Sequence, residues 1–288
     1  MKKILFTGAT GFLGRNLLPV LSEKYDVFAP NRKELDLKDA EKLRDYIKEQ
    51  QFDVIIHAAI PNIAFHPQDS PETLLKDSLS VFMNLYRLRD EYGKMIYFGS
   101  GAEFDKEYPI SLVSEDEFGN RLPSSDYGLA KYIMNCLCRQ SDNIYNLRIF
   151  GCYGPTDADF KLITYVIRCC LRDQSIHLRQ NCLFDYMVVS DLLPILDYFI
   201  CNMPSRHDFN VCTGIETELT EICRLIKKEL NSQVPVSIER EGFNNPYSGD
   251  NSKIRQEIPD LRFTCLSDGI RKQINWEKEA QNNAKKSC

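Results

Sequence analysis

Tyr127 and Lys131 are a pair of side chains whose types and spacing could move a proton. They lie four positions apart in a segment with helical periodicity, so both side chains would emerge on one face of a helix. A phenol with its ordinary pKa of ~10 is a poor acid or base at neutral pH, and a nearby ammonium group lowers that pKa by stabilising the phenolate. The pair therefore predicts that Tyr127 acts as a general acid or base, with Lys131 beside it.

Ser100 is a third candidate for chemistry. It follows the apolar run 95–98, at the expected carboxyl end of a strand, where sheets built of alternating strands and helices bind their ligands. A hydroxyl group there can polarise a carbonyl group. The ordinary alternatives are an exposed amphipathic pair for Tyr127 and Lys131 and a simple loop serine for Ser100. A ligand-binding motif elsewhere in the chain favours the chemical interpretation.

That motif is the glycine-rich loop from Thr7 to Gly14, which follows the apolar run 4–6 and opens a helical pattern over 11–22. In this context the three glycines permit a tight turn, the close approach of a pyrophosphate and close helix packing, while the helix N-terminus offers free N–H groups. The alternative is a tight turn without a ligand. The loop predicts a bound dinucleotide, contacted by Gly8, Thr10, Gly11, Phe12, Leu13 and Gly14.

The end of the second predicted strand bears on which dinucleotide binds. An acid at that point bonds the ribose 2′-hydroxyl of NAD, whereas an arginine accommodates the 2′-phosphate of NADP. The sequence there is Ala29-Pro30-Asn31-Arg32, with an arginine and no carboxylate. NADP is therefore the expected cofactor. NAD stays open as the alternative, because Arg32 also fits a solvated loop charge.

The elements that must position these residues follow from the hydrophobic pattern. Strands that alternate with helices at this spacing favour right-handed crossovers and a parallel sheet covered on both faces, so we predict an α/β fold with a doubly wound Rossmann domain. The predicted strands cover 4–6, 27–29, 53–57, 94–98 and 145–150, and the predicted helices cover 11–22, 39–50, 78–92 and 126–139.

The later part of the chain departs from this alternation over 155–185 and over the last ~75 residues, where Pro, Asn and Gly are more frequent. We expect these segments to build a smaller, C-terminal substrate-binding lobe. The predicted division assigns residues 1–155, with about 186–213, to the dinucleotide-binding domain, and 156–185 with 214–288 to the lobe.

Composition excludes several classes of function. The chain has 288 residues, 43% of them hydrophobic, which is enough for an ordinary core. Its formal charge of −5 provides no basic field for nucleic acid or for a membrane surface. No apolar run approaches the ~20 residues that span a bilayer, and Thr7 and Gly8 interrupt the N-terminal apolar run before it resembles a signal peptide. We expect a cytoplasmic protein.

Metal and disulfide chemistry have little support. The eleven cysteines include no Cys-x-x-Cys pair, and several lie in apolar segments where a free thiol behaves as a small hydrophobe. The histidines, His57, His66, His177 and His207, lie far apart and form no helical metal-binding pair. The cysteines are therefore expected to stay reduced, and no metal is predicted.

Taken together, these motifs resemble the extended short-chain dehydrogenase/reductases, in particular the nucleotide-sugar epimerases, dehydratases and 4-ketoreductases. The resemblance spans nearly the whole chain. The matching segments are the loop Thr7 to Gly14, Asp36-Leu37, His57-Ala58-Ala59, the triad Ser100, Tyr127 and Lys131, Leu147 to Phe150 with Tyr153-Gly154-Pro155, and Asp185 to Asp191.

The resemblance implies a role for each member of the triad. Lys131 holds the nicotinamide ribose, Ser100 steadies the substrate carbonyl, and Tyr127 exchanges the proton while a hydride moves to or from the cofactor. Tyr127 and Lys131 thereby also contact the cofactor, as do Asp36, Leu37, Ala58 and Ala59.

Two acidic residues have a competing structural interpretation. By the resemblance Asp36 contacts the adenine end, and its alternative role is to cap the helix that starts near Asp39. Asp191 precedes a predicted helix, and we expect it to act as the N-cap of that helix rather than in the reaction.

Departures from the family pattern narrow the activity. Gly101-Ala102 stand where dehydratases carry an Asp-Glu pair, which disfavours dehydration. In the family an Asn usually precedes the Tyr-Gly-Pro segment and an Arg often precedes the position of Asp185, whereas this chain has Cys152 and Phe184 there. The identities of the sugar and of its nucleotide therefore stay open. The short chain and Arg32 favour an NADP-dependent 4-ketoreductase of a 4-keto-6-deoxy nucleotide sugar. The alternatives are a nucleotide-sugar 4-epimerase with tightly bound NAD and a non-catalytic dinucleotide-binding sensor.

Family members often form dimers through the helix that carries the catalytic tyrosine. Ile133, Met134 and Leu137 provide apolar side chains on that helix, so the resemblance implies a homodimer. Packing of the same side chains against the sheet explains them equally well.

Overall fold

The computed structural model describes residues 1–61 and 70–286, with side chains to residue 283. The strands are β1 (Lys3–Thr7), β2 (Asp26–Phe28), β3 (Val54–His57), β4 (Lys94–Ser100), β5 (Ile110–Val113), β6 (Ile144–Ile149), β7 (Gly151–Tyr153), β8 (Ile176–Asn181), β9 (Leu183–Phe184), β10 (Tyr186–Val188), β11 (Asp208–Val211), β12 (Thr217–Glu218), β13 (Val236–Phe243) and β14 (Tyr247–Gly249). The helices are α1 (Phe12–Lys24), α2 (Ala40–Gln50), α3 (Leu74–Arg87), α4 (Asp126–Arg139), α5 (Leu162–Leu171), α6 (Leu192–Cys201), α7 (Leu219–Glu229), α8 (Ser252–Glu257) and α9 (Leu266–Lys286).

Six of the strands form one parallel sheet in the order β2-β1-β3-β4-β6-β11. The chain steps outward from β1 to β2 and then crosses to β3 on the other side of β1. This reversal opens a crevice at the carboxyl ends of β1 and β3, which is where sheets of this kind bind ligands. The prediction of a doubly wound parallel sheet is confirmed.

Both faces of the sheet are covered because alternate residues of each strand point to opposite sides. Ile4 and Phe6 of β1 pack into a core that also contains side chains of α1 and α6. Leu5 points the other way, into a second core with side chains of α2, α3 and α4. The two cores hold the strand ends, and therefore the loops that follow them, in fixed positions.

Three smaller sheets combine strands of the later segments with β5 and β7. Helices α5, α7 and α9 contact one another and share a third core with the parallel pair β8 and β13. The segment 155–185 thus contains helix α5 and the strands β8 and β9. A four-stranded sheet in the order β12-β9-β14-β5 lies beside the end of β4.

The division into two domains stays a prediction, and both strand pairing and core packing cross its boundary. Strand β5, which lies within the predicted first domain, pairs with β14 of the predicted lobe. In the other direction, Ile254 and Leu261 pack into the first core of the Rossmann sheet. The two parts are therefore interleaved rather than joined by a linker.

Asp191 makes a further connection across this boundary, and the prediction of its capping role was wrong. It stands at the N-cap position of α6, but its side chain makes no capping hydrogen bond. The carboxylate instead accepts hydrogen bonds from the backbone N–H of Thr264 at 2.8 Å and from its Oγ1 at 2.7 Å. Asp191 ties the chain before α9 to the start of α6.

Within the described ranges, no helix is both long enough and apolar enough to cross a bilayer. The ten cysteines that fall in those ranges are free thiols.

Candidate active site

One cleft at the carboxyl edge of the large sheet brings together all the predicted site residues except Gly14. Its walls are the loops that follow β1, β2, β3 and β4, the start of α4, and the segment after β7. The predicted residues that line it are Gly8, Thr10, Gly11, Phe12, Leu13, Arg32, Asp36, Leu37, Ala58, Ala59, Ser100, Tyr127 and Lys131.

The glycine loop is shaped by close backbone approaches. Gly8 has φ +80°, and a Cβ there would lie 2.6 Å from the backbone nitrogen of Ala59, which follows β3. Gly14 lies outside the cleft lining because it packs α1 against the loop, where a Cβ would lie 2.4 Å from the carbonyl oxygen of Ala9. Any side chain at either position would force the loop away from β3 or away from the helix.

The start of α1 is left free to bind an anion. Its N-cap, Gly11, provides no side-chain hydrogen bond, so the first N–H groups of the helix are not capped by that residue. Gly11 also keeps the space in front of these groups clear, since its nearest neighbour for a Cβ would be the carbonyl oxygen of Gly8 at 3.4 Å. The loop fits the diphosphate of a dinucleotide.

The turn after β2 holds Arg32 at the far end of the cleft. The Asn31 side chain accepts the backbone N–H of Lys33 at 2.9 Å, and Glu34 accepts the backbone N–H of Asn31 at 2.8 Å. This turn presents Arg32 on the cleft wall. The nearby acid, Glu34, has one of its oxygens engaged by the turn itself.

Asp36 does not cap the following helix, so that alternative is wrong. Its Oδ1 accepts the backbone N–H of Lys38 at 3.0 Å. The N-cap of α2 is Asp39, whose carboxylate accepts the backbone N–H of Lys42 at 3.1 Å. Asp36 therefore keeps its place on the cleft wall without a role in the helix.

Helix α4 carries Tyr127 and Lys131 into the cleft. It begins under a side-chain cap in which Ser125 Oγ accepts the N–H of Gly128 at 3.1 Å. Lys131 is buried, its Nζ donates to the carbonyl oxygen of Phe98 at 2.7 Å, and it lies 5.8 Å from the centre of the Tyr127 ring. Burial lowers the pKa of Lys131 to about 8, against the opposing effect of the Glu103 carboxylate.

The prediction that an ammonium lowers the pKa of Tyr127 was wrong. The pKa of Tyr127 is raised, mainly because its hydroxyl is desolvated, although 39% of the residue is exposed. The Ser100 hydroxyl opposes this rise, and the charge of Glu103 adds to it. Lys131 directs its ammonium group to the Phe98 carbonyl instead, so Tyr127 keeps its proton at neutral pH.

Ser100 is held at its backbone and at its side chain. Its N–H donates to Glu103 Oε1 at 3.0 Å, and its Oγ accepts the N–H of Ala102 at 3.2 Å. The Oγ also lies 3.4 Å from the hydroxyl of Tyr247, a residue far away in sequence. Both Glu103 and Tyr247 were missed by the sequence analysis.

Glu103 belongs to a buried network centred on Arg148. Arg148 donates from Nε to Glu103 at 2.8 Å, from Nη1 to Asn210 at 2.9 Å and from Nη2 to Asp208 at 3.0 Å. Burial raises the pKa of Glu103, whereas the guanidinium group lowers it. The sequence does contain a signal for this network, because Arg148 lies between Leu147 and Ile149 in an apolar strand. A buried arginine requires polar partners, so acidic residues near it are to be expected.

His57 lies beneath the cleft in its neutral form. It is 1% exposed, and its Nδ1 lies 2.8 Å from Thr7 Oγ1. Burial lowers the pKa of His57 to about 3, and the positive charge of Lys131 contributes. His66 lies outside the described residues, and in the part of the chain that is described no group of three or more potential metal ligands occurs.

The low pKa of His57 makes the free energy of unfolding depend on pH. Its pKa falls from 6.5 to about 3 on folding, so between these values the unfolded chain binds the proton and the folded chain does not. We expect wild type to lose stability relative to His57→Asn by about 1.4 kcal/mol per pH unit as the pH falls through this window. Urea unfolding at a series of pH values measures the difference, and curves that stay parallel down to pH ~4 would contradict it.

Comparison with known proteins agrees with this geometry. The sequence profile of the NAD dependent epimerase/dehydratase family matches residues 4–212. GDP-L-colitose synthase of Yersinia pseudotuberculosis is 26% identical over 99% of this chain and 96% of its own length. GDP-6-deoxy-D-talose 4-dehydrogenase of Aggregatibacter actinomycetemcomitans is also 26% identical, over 92% and 94%.

The fold has a counterpart among solved structures. The GDP-L-fucose synthetase of Naegleria fowleri, solved bound to NADP, superposes with a TM-score of 0.84 at 17% identity, covering 98% of this chain and 94% of that one. At this identity the likeness concerns the fold. Because the sequence profile covers well over half of the chain, the protein belongs to the NAD dependent epimerase/dehydratase family.

Proposed function

We propose that this protein is an NADP-dependent reductase that converts the 4-keto group of a 4-keto-6-deoxy nucleotide sugar into a hydroxyl group. The observation that carries the proposal is the meeting of Ser100, Tyr127 and Lys131 in the cleft that also contains the glycine loop. The names of two relatives, GDP-L-colitose synthase and GDP-6-deoxy-D-talose 4-dehydrogenase, support guanosine-diphosphate sugars as the first substrates to test.

The reaction adds a hydride to the carbonyl carbon and a proton to the carbonyl oxygen, and the bound dinucleotide supplies the hydride. Ser100 donates a hydrogen bond that fixes the carbonyl oxygen. Tyr127 gives its proton to that oxygen, and its raised pKa means that the phenol is protonated before the reaction begins. The bond from Lys131 to the Phe98 carbonyl keeps Lys131 in place, with its ammonium group 5.8 Å from the centre of the Tyr127 ring.

For the cofactor, we propose that the start of α1 and the glycine loop bind the diphosphate and that Ala58 and Ala59 border the dinucleotide. Arg32 takes the 2′-phosphate of NADP, and Asp36 and Leu37 lie at the adenine end. Lys131 also contacts the nicotinamide ribose. The NADP-bound structure of a protein with the same fold supports NADP as the first cofactor to test.

Titration of the purified chain with NADPH and NADH, after release of any bound dinucleotide, separates the candidate functions. Selective NADPH binding followed by turnover of a 4-keto nucleotide sugar supports the reductase. Tightly retained NAD would point to the 4-epimerase, and cofactor binding without turnover of any nucleotide sugar would point to the sensor.

Tyr127→Phe removes the proposed proton donor and keeps the ring. We expect kcat to fall about 10²- to 10⁴-fold, measured as loss of NADPH absorbance with a 4-keto sugar, while the Kd for NADPH changes little. Tyr132→Phe is the matched control, because Tyr132 lies on the same helix with its ring stacked on Phe118. Equal kcat values for Tyr127→Phe and wild type would exclude Tyr127 as the acid.

Arg32→Ala removes the proposed contact to the 2′-phosphate. Since a hydrogen bond to a charged group contributes about 1.5–3 kcal/mol, we expect the Kd for NADPH to rise roughly ten- to hundredfold, with no comparable change for NADH. Fluorescence titration with each cofactor measures this. Lys33→Ala, the neighbouring exposed charge, serves as the control, and an equal loss of NADH binding in Arg32→Ala would remove the argument for NADP.

We also expect a homodimer formed through α4. Met134 and Leu137 pack in the protein's own second core, which leaves the half-buried Ile133 as the apolar side chain for the contact. Light scattering should give twice the chain mass of 33.3 kDa, and Ile133→Glu should halve it. Ile238→Glu, at an exposed position of β13, is the control; a wild-type monomer would refute the dimer.

The cytoplasmic location stays a prediction.

A further inference from the structure

Tyr247 reaches the candidate active site from the small sheet β12-β9-β14-β5. It begins β14, is 5% exposed, and its ring lies between those of Phe150 and Phe184, with centre-to-centre distances of 5.3 and 4.9 Å. The ammonium group of Lys106 lies 4.1 Å from the ring centre. These contacts fix the ring, so the position of its hydroxyl is set by the fold rather than by a ligand.

The loop after β4 makes room for this hydroxyl. A Cβ on Gly101 would lie 2.8 Å from the Tyr247 oxygen and 2.5 Å from Cδ1 of Phe150. The absence of a side chain at Gly101 opens the space through which Tyr247 approaches Ser100 to 3.4 Å.

The hydrogen-bonding capacity of Ser100 shows what this approach does. A serine hydroxyl has one proton to donate and two lone pairs that accept. The N–H of Ala102 occupies one lone pair, at 3.2 Å. A phenol is a stronger donor and a weaker acceptor than an alkyl alcohol, and burial raises the pKa of Tyr247 so that it keeps its proton. Donation from Tyr247 to Ser100 is thus the favoured direction.

When Ala102 and Tyr247 donate to the two lone pairs of the Ser100 oxygen, the remaining hydrogen-bonding capacity of Ser100 is the donation of its own proton. Ser100 and Tyr127 line the same cleft, so a proton that Ser100 directs into this cleft meets Tyr127 and any substrate bound there. The separation of 3.4 Å is long for a hydrogen bond between hydroxyl groups, and hydrogen bonds between catalytic groups commonly shorten when substrate binds.

We propose that Tyr247 is a positioning residue which donates to Ser100 and so commits the Ser100 proton to the cleft, toward Tyr127 and the substrate. The part that concerns the substrate carbonyl rests on the proposed reductase function, whereas the part that concerns Tyr127 does not. Tyr247→Phe tests both parts, because it keeps the packed ring and removes only the hydroxyl.

The first measurement needs no substrate. The phenolate absorbance of wild type minus that of Tyr127→Phe gives the titration of Tyr127, and Tyr247→Phe minus the Tyr127→Phe/Tyr247→Phe double variant gives it without the Tyr247 hydroxyl. We expect the pKa of Tyr127 to be higher in Tyr247→Phe, since Ser100 is then free to direct its proton elsewhere. An unchanged titration would overturn the proposal.

The second measurement is kinetic. We expect kcat to fall about tenfold in Tyr247→Phe while the Kd for NADPH is unchanged. The hydroxyl should have no further effect in a Ser100→Ala background, because it acts through Ser100. Tyr186→Phe, whose ring stacks on the same Phe184 at 4.7 Å, is the control for loss of a hydroxyl from this aromatic cluster.

Equal losses in Tyr186→Phe and Tyr247→Phe, or a full additional loss in the Ser100→Ala background, would reduce Tyr247 to a packing residue and overturn the proposal. If wild type turns over no 4-keto nucleotide sugar, the reductase function fails, and the Tyr127 titration still decides whether Tyr247 acts on Ser100.

Discussion

A single buried guanidinium group, that of Arg148, sets the requirement on which the site depends. Arg148 lies on β6, between β4 and the edge strand β11 of the large sheet, and is fully buried, so its charge is removed from water. Leaving such a charge without its partner costs about 3–5 kcal/mol. The fold meets this requirement with Glu103 from the loop after β4 and with Asp208 and Asn210 from β11. Because Glu103 also accepts the N–H of Ser100, the arrangement that satisfies Arg148 fixes the backbone of the proposed catalytic serine.

The same network sets the charges in the cleft. Burial alone would drive Lys131 toward its neutral form, and the carboxylate of Glu103 opposes this, so the pKa of Lys131 stays at about 8. A second cation beside it is disfavoured, which adds to the burial that keeps His57 neutral. Tyr127 is desolvated in the same environment and retains its proton. One ammonium group and one protonated phenol are thereby present together at neutral pH, the combination that reduction of a carbonyl requires.

The features that were predictable from sequence are those with a local cause. The glycine loop, the alternating strands and helix α4 follow from spacing over a few residues, and the structure places them as expected. The third helix, predicted over 78–92, spans Leu74–Arg87 instead, since element ends are set by weak local signals. The raised pKa of Tyr127 was not predictable, because it arises from burial that no short segment encodes. Glu103 and Arg148 were visible as charges near apolar strands, yet only the fold pairs them.

Tyr247 was hidden for a different reason. It lies 147 positions from Ser100, in a segment whose irregular composition provided no periodicity. Tyr247 contacts Ser100 because its strand, β14, pairs with β5, and β5 follows the Ser100 loop in the chain. This pairing joins the small sheet to the segment that carries the proposed catalytic serine. Gly101 completes the fit by leaving space for the hydroxyl. Ser100 is therefore held from two directions, by Glu103 beneath the sheet edge and by Tyr247 from the lobe, and a shift of either element changes the direction of one proton. Since a hydrogen bond weakens over a few tenths of an ångström, the interleaving of the two parts is what makes the serine rigid enough to orient a carbonyl group.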